Sequence, residues 1–180
     1  MNSAPRLELP DEIRYLILAG QREGSRRLAA SLRSLGLTPA QAEVLDVLRS
    51  RGELTLAELG RLLVCEAGSP SRLVDSLVRA GLVARLPSPQ DKRAVLLSLT
   101  PEGEDTADGL GAATTELAGF MAERLEPAEL DTLAALLRRL LHGTPGGEAL
   151  ATRFPSPAPA PAEPSAPVGA PAARRPAKNR

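Results

Sequence analysis

Apolar residues recur with a helical period in several segments of this chain. In one short segment, residues typical of helix ends also occur on both sides. Within residues 69–81 the apolar side chains fall on one face of a helix: Leu73, Val74, Leu77 and Val78. Ser69 predicts the N-cap, because its hydroxyl can accept from a backbone N–H of the first turn, and Pro70 suits the first helical position. Gly81 predicts the end, since glycine adopts the left-handed conformation without a steric penalty. The sequence therefore predicts a short amphipathic helix.

A second short helix precedes this one. Thr55 and Glu58 form a capping box, and leucines at helical spacing follow over residues 56–63. Only a few residues, with Gly68 available for a turn, separate the two helices. This spacing is typical of a helix-turn-helix.

A β-hairpin is predicted directly after the helix pair. Residues 82–86 and 94–99 have strand character, and residues 87–93 between them form a polar turn with a basic tip. Residues 53–54 are candidates for a short third strand. A hairpin in this place indicates the winged variant of the motif.

Further helices are predicted on both sides of the motif, over residues 10–35, 38–48, 100–125 and 127–141. The first and last of them carry more apolar surface than a small winged helix can bury. Two interpretations follow: these helices complete the core of a monomer, or they pack against a second copy, which the size of the surface favours.

Short motifs typical of one protein family occur in order along the chain. They are Leu37-Thr38-Pro39-Ala40-Gln41, Ser71-Arg72-Leu73-Val74-Asp75, Gly81-Leu82-Val83, Asp91-Lys92-Arg93 and Leu99-Thr100-Pro101-Glu102-Gly103. With them, residues 10–142 resemble the MarR family of bacterial winged-helix transcriptional regulators. The resemblance implies a mainly α fold with a small β-wing, in which residues 37–100 bind DNA and residues 10–36 and 101–142 form a helical dimerisation region.

The resemblance also implies a homodimer that reads a near-palindromic double-stranded DNA operator, with helix 69–79 in the major groove. Hydroxyl and guanidinium groups suit contacts with phosphates and base edges. The candidates on this helix are Ser69, Ser71, Arg72, Ser76 and Arg79.

The wing supplies the other candidate contacts. The family pattern implies that Arg93 points toward the minor groove and that Asp91 orients nearby arginines. Arg85 and Lys92 are expected to bind phosphates. The family commonly responds to a small-molecule effector, but no polar constellation in this sequence identifies one.

Charge and residue content narrow the possible functions. The formal net charge is zero, so a DNA-binding surface has to be local, and basic residues outnumber acidic ones between Arg61 and Arg93. His142 is the single histidine, which leaves no histidine-based triad or convincing metal cluster. No phosphate-binding loop or dinucleotide fingerprint occurs. We therefore expect no enzyme activity, no metal and no cofactor.

Cys65 is the single cysteine, which fits a reducing compartment. Both a redox role and a structural role are open for it. The structural role is favoured, because the reactive cysteine of related oxidation sensors lies in the N-terminal helix. No export signal or membrane span is visible, and we expect a cytoplasmic protein with no membrane partner.

The ends of the chain differ from its centre. Residues 1–9 are predicted to be a flexible N-terminus, and residues 143–180 a disordered Pro/Ala-rich tail, with the sharpest change of composition at Phe154. Residues 174–180 are basic. The tail suggests an alternative function, in which the winged helix is a protein-interaction module and the Pro-rich tail binds a partner.

Overall fold

The computed structural model describes residues 9–64, 69–89 and 94–155. Its elements in chain order are α1 (Leu9–Ser31), α2 (Pro39–Arg51), β1 (Leu54–Thr55), α3 (Leu56–Leu62), α4 (Pro70–Arg79), β2 (Val83–Pro87), β3 (Val95–Leu99), α5 (Pro101–Ala122), α6 (Pro127–Leu141) and α7 (Pro145–Arg153). The strands form one antiparallel sheet in the order β1-β3-β2. The predicted mainly helical fold with a small β-wing is confirmed.

The core lies where α2, α3 and α4 meet the sheet. Leu45 of α2, Leu59 of α3, Leu77 of α4 and Leu97 of β3 are all fully buried there. Burial of apolar surface is the main favourable term in folding, so this cluster fixes how the two helices of the helix-turn-helix pack together. The predicted inward face of α4 is confirmed: Val74 and Leu77 are buried, and Leu73 and Val78 pack against the same cluster.

The end of α4 is fixed by its backbone. Gly81 has a φ of +76°, and its N–H donates to the carbonyl of Val78 at 3.0 Å, while the N–H of Leu82 donates to the carbonyl of Leu77 at 3.0 Å. This pair of bonds is a Schellman motif, which confirms the predicted role of Gly81. The carbonyl of Leu82 also accepts from the N–H of Thr100 at 3.1 Å, so the end of α4 is tied to the start of α5.

The two long helices divide into a packed half and an open half. In α1 the apolar residues near its end, such as Leu28, pack against the core, whereas Ile13, Leu16 and Ile17 are exposed. In α5 the buried residues are Gly103, Ala107, Leu110 and Ala113, and Met121 near its end is exposed. No residue of α6 is buried. The start of α1, the end of α5 and α6 therefore form an apolar arm that extends from the winged helix without being buried against it.

Four predictions of helix extent need correction. Helix α2 continues to Arg51, beyond the predicted end at residue 48. The first helix ends at Ser31 and continues as a 3-10 turn over Leu32–Leu35, where Gly36 takes a left-handed conformation. The helix after the wing ends at Ala122, short of residue 125. Helix α7 occupies part of the predicted tail: Thr144 caps it by accepting from the N–H of Gly147 at 3.1 Å, and Ala149 is buried. The tail prediction extends the Pro/Ala-rich composition found after Phe154 back to residue 143, where the cap at Thr144 indicates a helix instead.

A Gly103→Ala substitution should lower the free energy of unfolding by roughly 2–3 kcal/mol, because the new Cβ would overlap the backbone carbonyl of Leu82, which cannot move aside. Gly111→Ala in the same helix is the matched control, since its Cβ would meet nothing within 4 Å. That control should gain up to about 1 kcal/mol from helix propensity. Urea unfolding of both variants measures the difference, and equal effects would contradict the proposed close contact.

Candidate nucleic-acid interface

Two arginines stand on the outer face of α4. Arg72 lies in its first turn and Arg79 in its last, on the side away from the buried Val74 and Leu77, and both are exposed. Neither guanidinium has an ion-pair or hydrogen-bond partner among the residues that the structure describes. Planar guanidinium groups that are held by one helix and open to solvent are suited to phosphates and to the O6 and N7 atoms of guanine.

A third arginine is held beside this face by an ion pair. The Nη2 atom of Arg85 on β2 lies 2.6 Å from Oδ1 of Asp75 on α4, and both side chains are about half exposed. An exposed pair of this kind adds little stability. Its effect is geometric, because it fixes the guanidinium of the wing strand against the helix. Asp75 thus has a role in orienting a basic side chain that sequence reasoning did not assign to it.

Ser76 packs toward α2. Its hydroxyl donates to the carbonyl of Leu73 at 2.7 Å and accepts from Nε2 of Gln41 at 3.1 Å. Gln41 in turn accepts the N–H of Thr38 at 2.9 Å, so the capping box of α2 is bonded to α4. This packing role was not indicated by the sequence, and a contact of Ser76 with DNA stays a prediction.

The two serines at the start of α4 contact each other. The hydroxyl oxygens of Ser69 and Ser71 lie 2.7 Å apart, and the Ser69 side chain caps no backbone N–H. The predicted capping bond is therefore wrong, although Pro70 does occupy the first turn. The Ser69 carbonyl accepts the N–H of Arg72 at 2.9 Å instead. Both hydroxyls remain at the exposed N-terminal end of the helix.

The remaining candidate DNA contacts are predicted on the wing. Pairs such as Arg85 with Leu97 set the register of β2 and β3, and the N–H of Ser88 donates to the carbonyl of Ala94 at 3.0 Å, which closes the hairpin. Asp91, Lys92 and Arg93 lie outside the described residues, as does Cys65, so their predicted roles stay predictions.

Comparisons with known proteins agree with this geometry. Residues 37–103 match a winged helix DNA-binding domain. The multiple antibiotic resistance protein MarR of Salmonella typhimurium is 33% identical over 129 residues, which are 71% of this chain and 89% of that protein. The chain belongs to the MarR family. The MarR protein of Escherichia coli is 35% identical over 117 residues, 64% of this chain and 81% of that protein.

A solved MarR structure shows the same fold together with DNA. The crystal structure of a cysteine-to-serine variant of Escherichia coli MarR complexed with operator DNA is 33% identical, with a TM-score of 0.67, and the match covers 74% of this chain and 99% of that one. This chain is accordingly a MarR-family transcriptional regulator that binds DNA.

Neither a membrane span nor a metal site is found in the part of this MarR-family chain that the structure describes. Its helices lack the combination of length and apolarity that a bilayer crossing requires. Groups of three or more histidine, cysteine, aspartate or glutamate side chains placed to hold a metal are absent from the same residues.

The first helix of the motif begins with a titratable cap. The Glu58 carboxylate accepts the Thr55 N–H at 2.8 Å and the Thr55 hydroxyl at 2.7 Å. The backbone N–H first, and the hydroxyl second, hold the pKa of Glu58 below its ordinary value. Because the folded protein favours the charged form, this stabilisation is present above the unfolded pKa and is lost as pH falls through the lowered folded pKa.

An NMR titration of the Glu58 carboxyl should give a midpoint below the ordinary glutamate value. Thr55→Val removes the hydroxyl and keeps the backbone donor, so the midpoint should move only part of the way back. Thr38→Val changes the equivalent cap of α2 and is the control that should leave Glu58 unchanged. An unshifted Glu58 in the unmodified protein would show that the cap does not form in solution.

Proposed function

We propose that this protein is a homodimeric regulator that binds a near-palindromic operator, with α4 of each subunit in the major groove and the wing beside it. The observation that carries the proposal is the outer face of α4, where Arg72 and Arg79 are exposed and Arg85 is held next to them by Asp75. Support also comes from the operator complex of the Escherichia coli relative. Because a regulator of this kind binds chromosomal DNA, we place it in the bacterial cytoplasm. We assign it no catalytic activity.

The dimer is proposed from the open apolar arm. The leucines on one face of α6 are exposed at helical spacing: Leu133, Leu136, Leu137 and Leu140. Ile13, Leu16 and Ile17 of α1 form a second exposed apolar surface. Covering a large aliphatic side chain contributes about 1.5–3 kcal/mol, so pairing these helices between two copies offsets the cost of association. Two-fold symmetry then places two copies of α4 about one DNA turn apart.

An effector site is proposed in the cavity where the packed halves of α1 and α5 meet α2. Its lining is mostly apolar and comes from α1, the 3-10 turn after it, α2 and α5: Leu28, Leu32, Ala42, Leu110 and Ala113. Arg153, Glu43 and Asp46 stand at its edge. A small molecule with an apolar body fits this lining, and it would act where the arm joins the DNA-binding part.

The division of roles between helix and wing is tested with Arg72→Ala and Arg93→Ala. Arg72→Ala should relax preference at one symmetric base position by about 1–3 kcal/mol, because a guanidinium fork reads guanine. Arg93→Ala should weaken binding on every sequence and reduce the salt slope by about one, because it senses the narrow groove and its phosphates. Fluorescence anisotropy with the operator and singly substituted operators, at several salt concentrations, measures both.

Arg26→Ala is the control for the loss of one positive charge, since Arg26 lies on α1 and pairs with Glu23. It should bind like the unmodified protein. An Arg72→Ala loss that is equal on all sequences would contradict the assigned base contact, and failure of the unmodified protein to prefer any duplex would contradict the whole proposal.

The dimer is tested with Leu136→Asp and Leu140→Asp together. These side chains are 49% and 60% exposed in the monomer, so the double variant should keep its helix content. It should sediment as a monomer and lose operator affinity at least tenfold, because the carboxylates would be buried in an apolar seam. Ala135→Asp, on the opposite side of α6, should stay dimeric. A double variant that remains a dimer would place the interface elsewhere.

The effector site is tested by screening small apolar molecules for release of operator DNA. Active molecules should change the NMR chemical shifts of Ala42 and Leu110, which line the cavity. They should also raise the melting temperature of the protein, because ligands stabilise the state that they bind. Binding elsewhere on the chain would overturn the assignment of this cavity.

A further inference from the structure

Helix α7 connects the apolar arm to the DNA-binding part of the chain, and Arg153 at its end pairs with α2. At its start, Thr144 caps the helix and its hydroxyl donates to the carbonyl of Leu141, the last residue of α6, at 2.7 Å. At its end, Nη1 of Arg153 lies 2.5 Å from Oε1 of Glu43 and Nη2 lies 2.7 Å from Oδ2 of Asp46, both on α2. The chain therefore returns from the arm to the DNA-binding part through a short, doubly anchored helix.

The Glu43 end of this contact is nearly buried. The side chains of Arg153 and Glu43 are only 13% and 10% exposed, whereas Asp46 is 55% exposed. A charge-assisted pair in such a place is screened far less than a surface pair and is sensitive to geometry. Replacing the guanidinium would leave the two carboxylates of α2 facing α7 without this cation.

Glu43 also holds the end of α3. The same Oε1 atom accepts the N–H of Val64 at 2.8 Å, just after the C-cap Leu63. Val64 is the last described residue before Ser69, the N-cap residue of α4. The carboxylate thus joins α2, the end of α3 and α7 at one point, and α2 and α3 are both packed against α4.

A second bond places α7 along the motif. The guanidinium of Arg51, at the end of α2, donates to the carbonyl of Thr152. Ala149 of α7 is buried at 3% exposure. Several contacts therefore fix the position of α7. Among them, Arg153 contacts Glu43, which also accepts the N–H of Val64.

We propose that Arg153 is a positioning residue for operator binding: it locks the end of α3 against α2 and so holds α4 in the orientation that fits DNA. The proposal rests on the function proposed above. Arg153 itself touches no base or phosphate in this scheme. Its removal therefore weakens affinity without changing which sequence is preferred or how many phosphates are neutralised.

The test uses the full-length protein and compares Arg153→Met with Arg153→Lys and Arg26→Met. Arg153→Met should raise the operator Kd about tenfold at a temperature where all variants are folded, with an unchanged salt slope and base preference. Arg153→Lys should lose less, because an ammonium group keeps the positive charge but lacks the planar fork that pairs with Glu43 and Asp46 through two separate nitrogens. Arg26→Met, which removes an exposed arginine of α1, should bind like the unmodified protein. The Val64 amide should exchange faster with solvent in Arg153→Met only.

Asp46→Asn provides a milder variant, since its carboxylate is half exposed and its loss does not endanger folding. It should weaken operator binding severalfold alone and add nothing to Arg153→Met, because the two changes remove one interaction. Additive effects, unchanged affinity of Arg153→Met, or a salt slope lower by about one would each overturn the proposal, the last by making Arg153 a phosphate contact. If the unmodified protein binds no duplex, the proposed function fails and this inference fails with it.

Discussion

The placement of α4 depends on the burial of one narrow apolar stripe. Val74 and Leu77 are completely enclosed by the core that α2, α3 and the sheet supply. A helix of ten residues is marginal by itself in water, so this burial both forms α4 and sets its rotation. Rotation is what matters for DNA, because it decides which side chains face outward. Arg72 and Arg79 face solvent because the opposite, apolar face of α4 is buried in the core.

The connections around α4 show how a small domain resists rotation of that helix. Its C-terminal end is joined through Leu82 to Thr100, its middle through Ser76 to Gln41, and its outer face through Asp75 to Arg85. Each bond alone contributes on the order of 1 kcal/mol or less. The three connections lie on different sides of α4, however. Together they therefore restrict rotation of this helix more than three connections on one side would.

Local signals in the sequence predicted most elements, because caps and turns are short-range chemistry. Thr55 with Glu58, Pro70 and Gly81 act within a few residues, and each marks a boundary that the structure has. The misses required long-range information. Ser76 bonds to Gln41 and Arg153 pairs with Glu43, which lie 35 and 110 residues apart in the chain, and no spacing rule reaches that far. Helix α7 is an exception, since Thr144-Pro145 has the same local cap-then-proline pattern as Thr100-Pro101, but the sequence prediction for residues 143–180 is a tail.

Zero net charge and DNA binding are compatible because the charges are distributed unequally among surfaces. Many acidic residues of the described chain belong to local ion pairs, such as Glu23 with Arg26, Glu123 with Arg124 and Asp108 with Arg49. The neighbouring arginines partly cancel the electric fields of these carboxylates. The outer face of α4 contains arginines with no such partner among the described residues, so its field extends to solvent within a Debye length of about 8 Å. A neutral protein of this kind avoids general attraction to polyanions, and its affinity for DNA depends on the geometry of a few guanidinium groups.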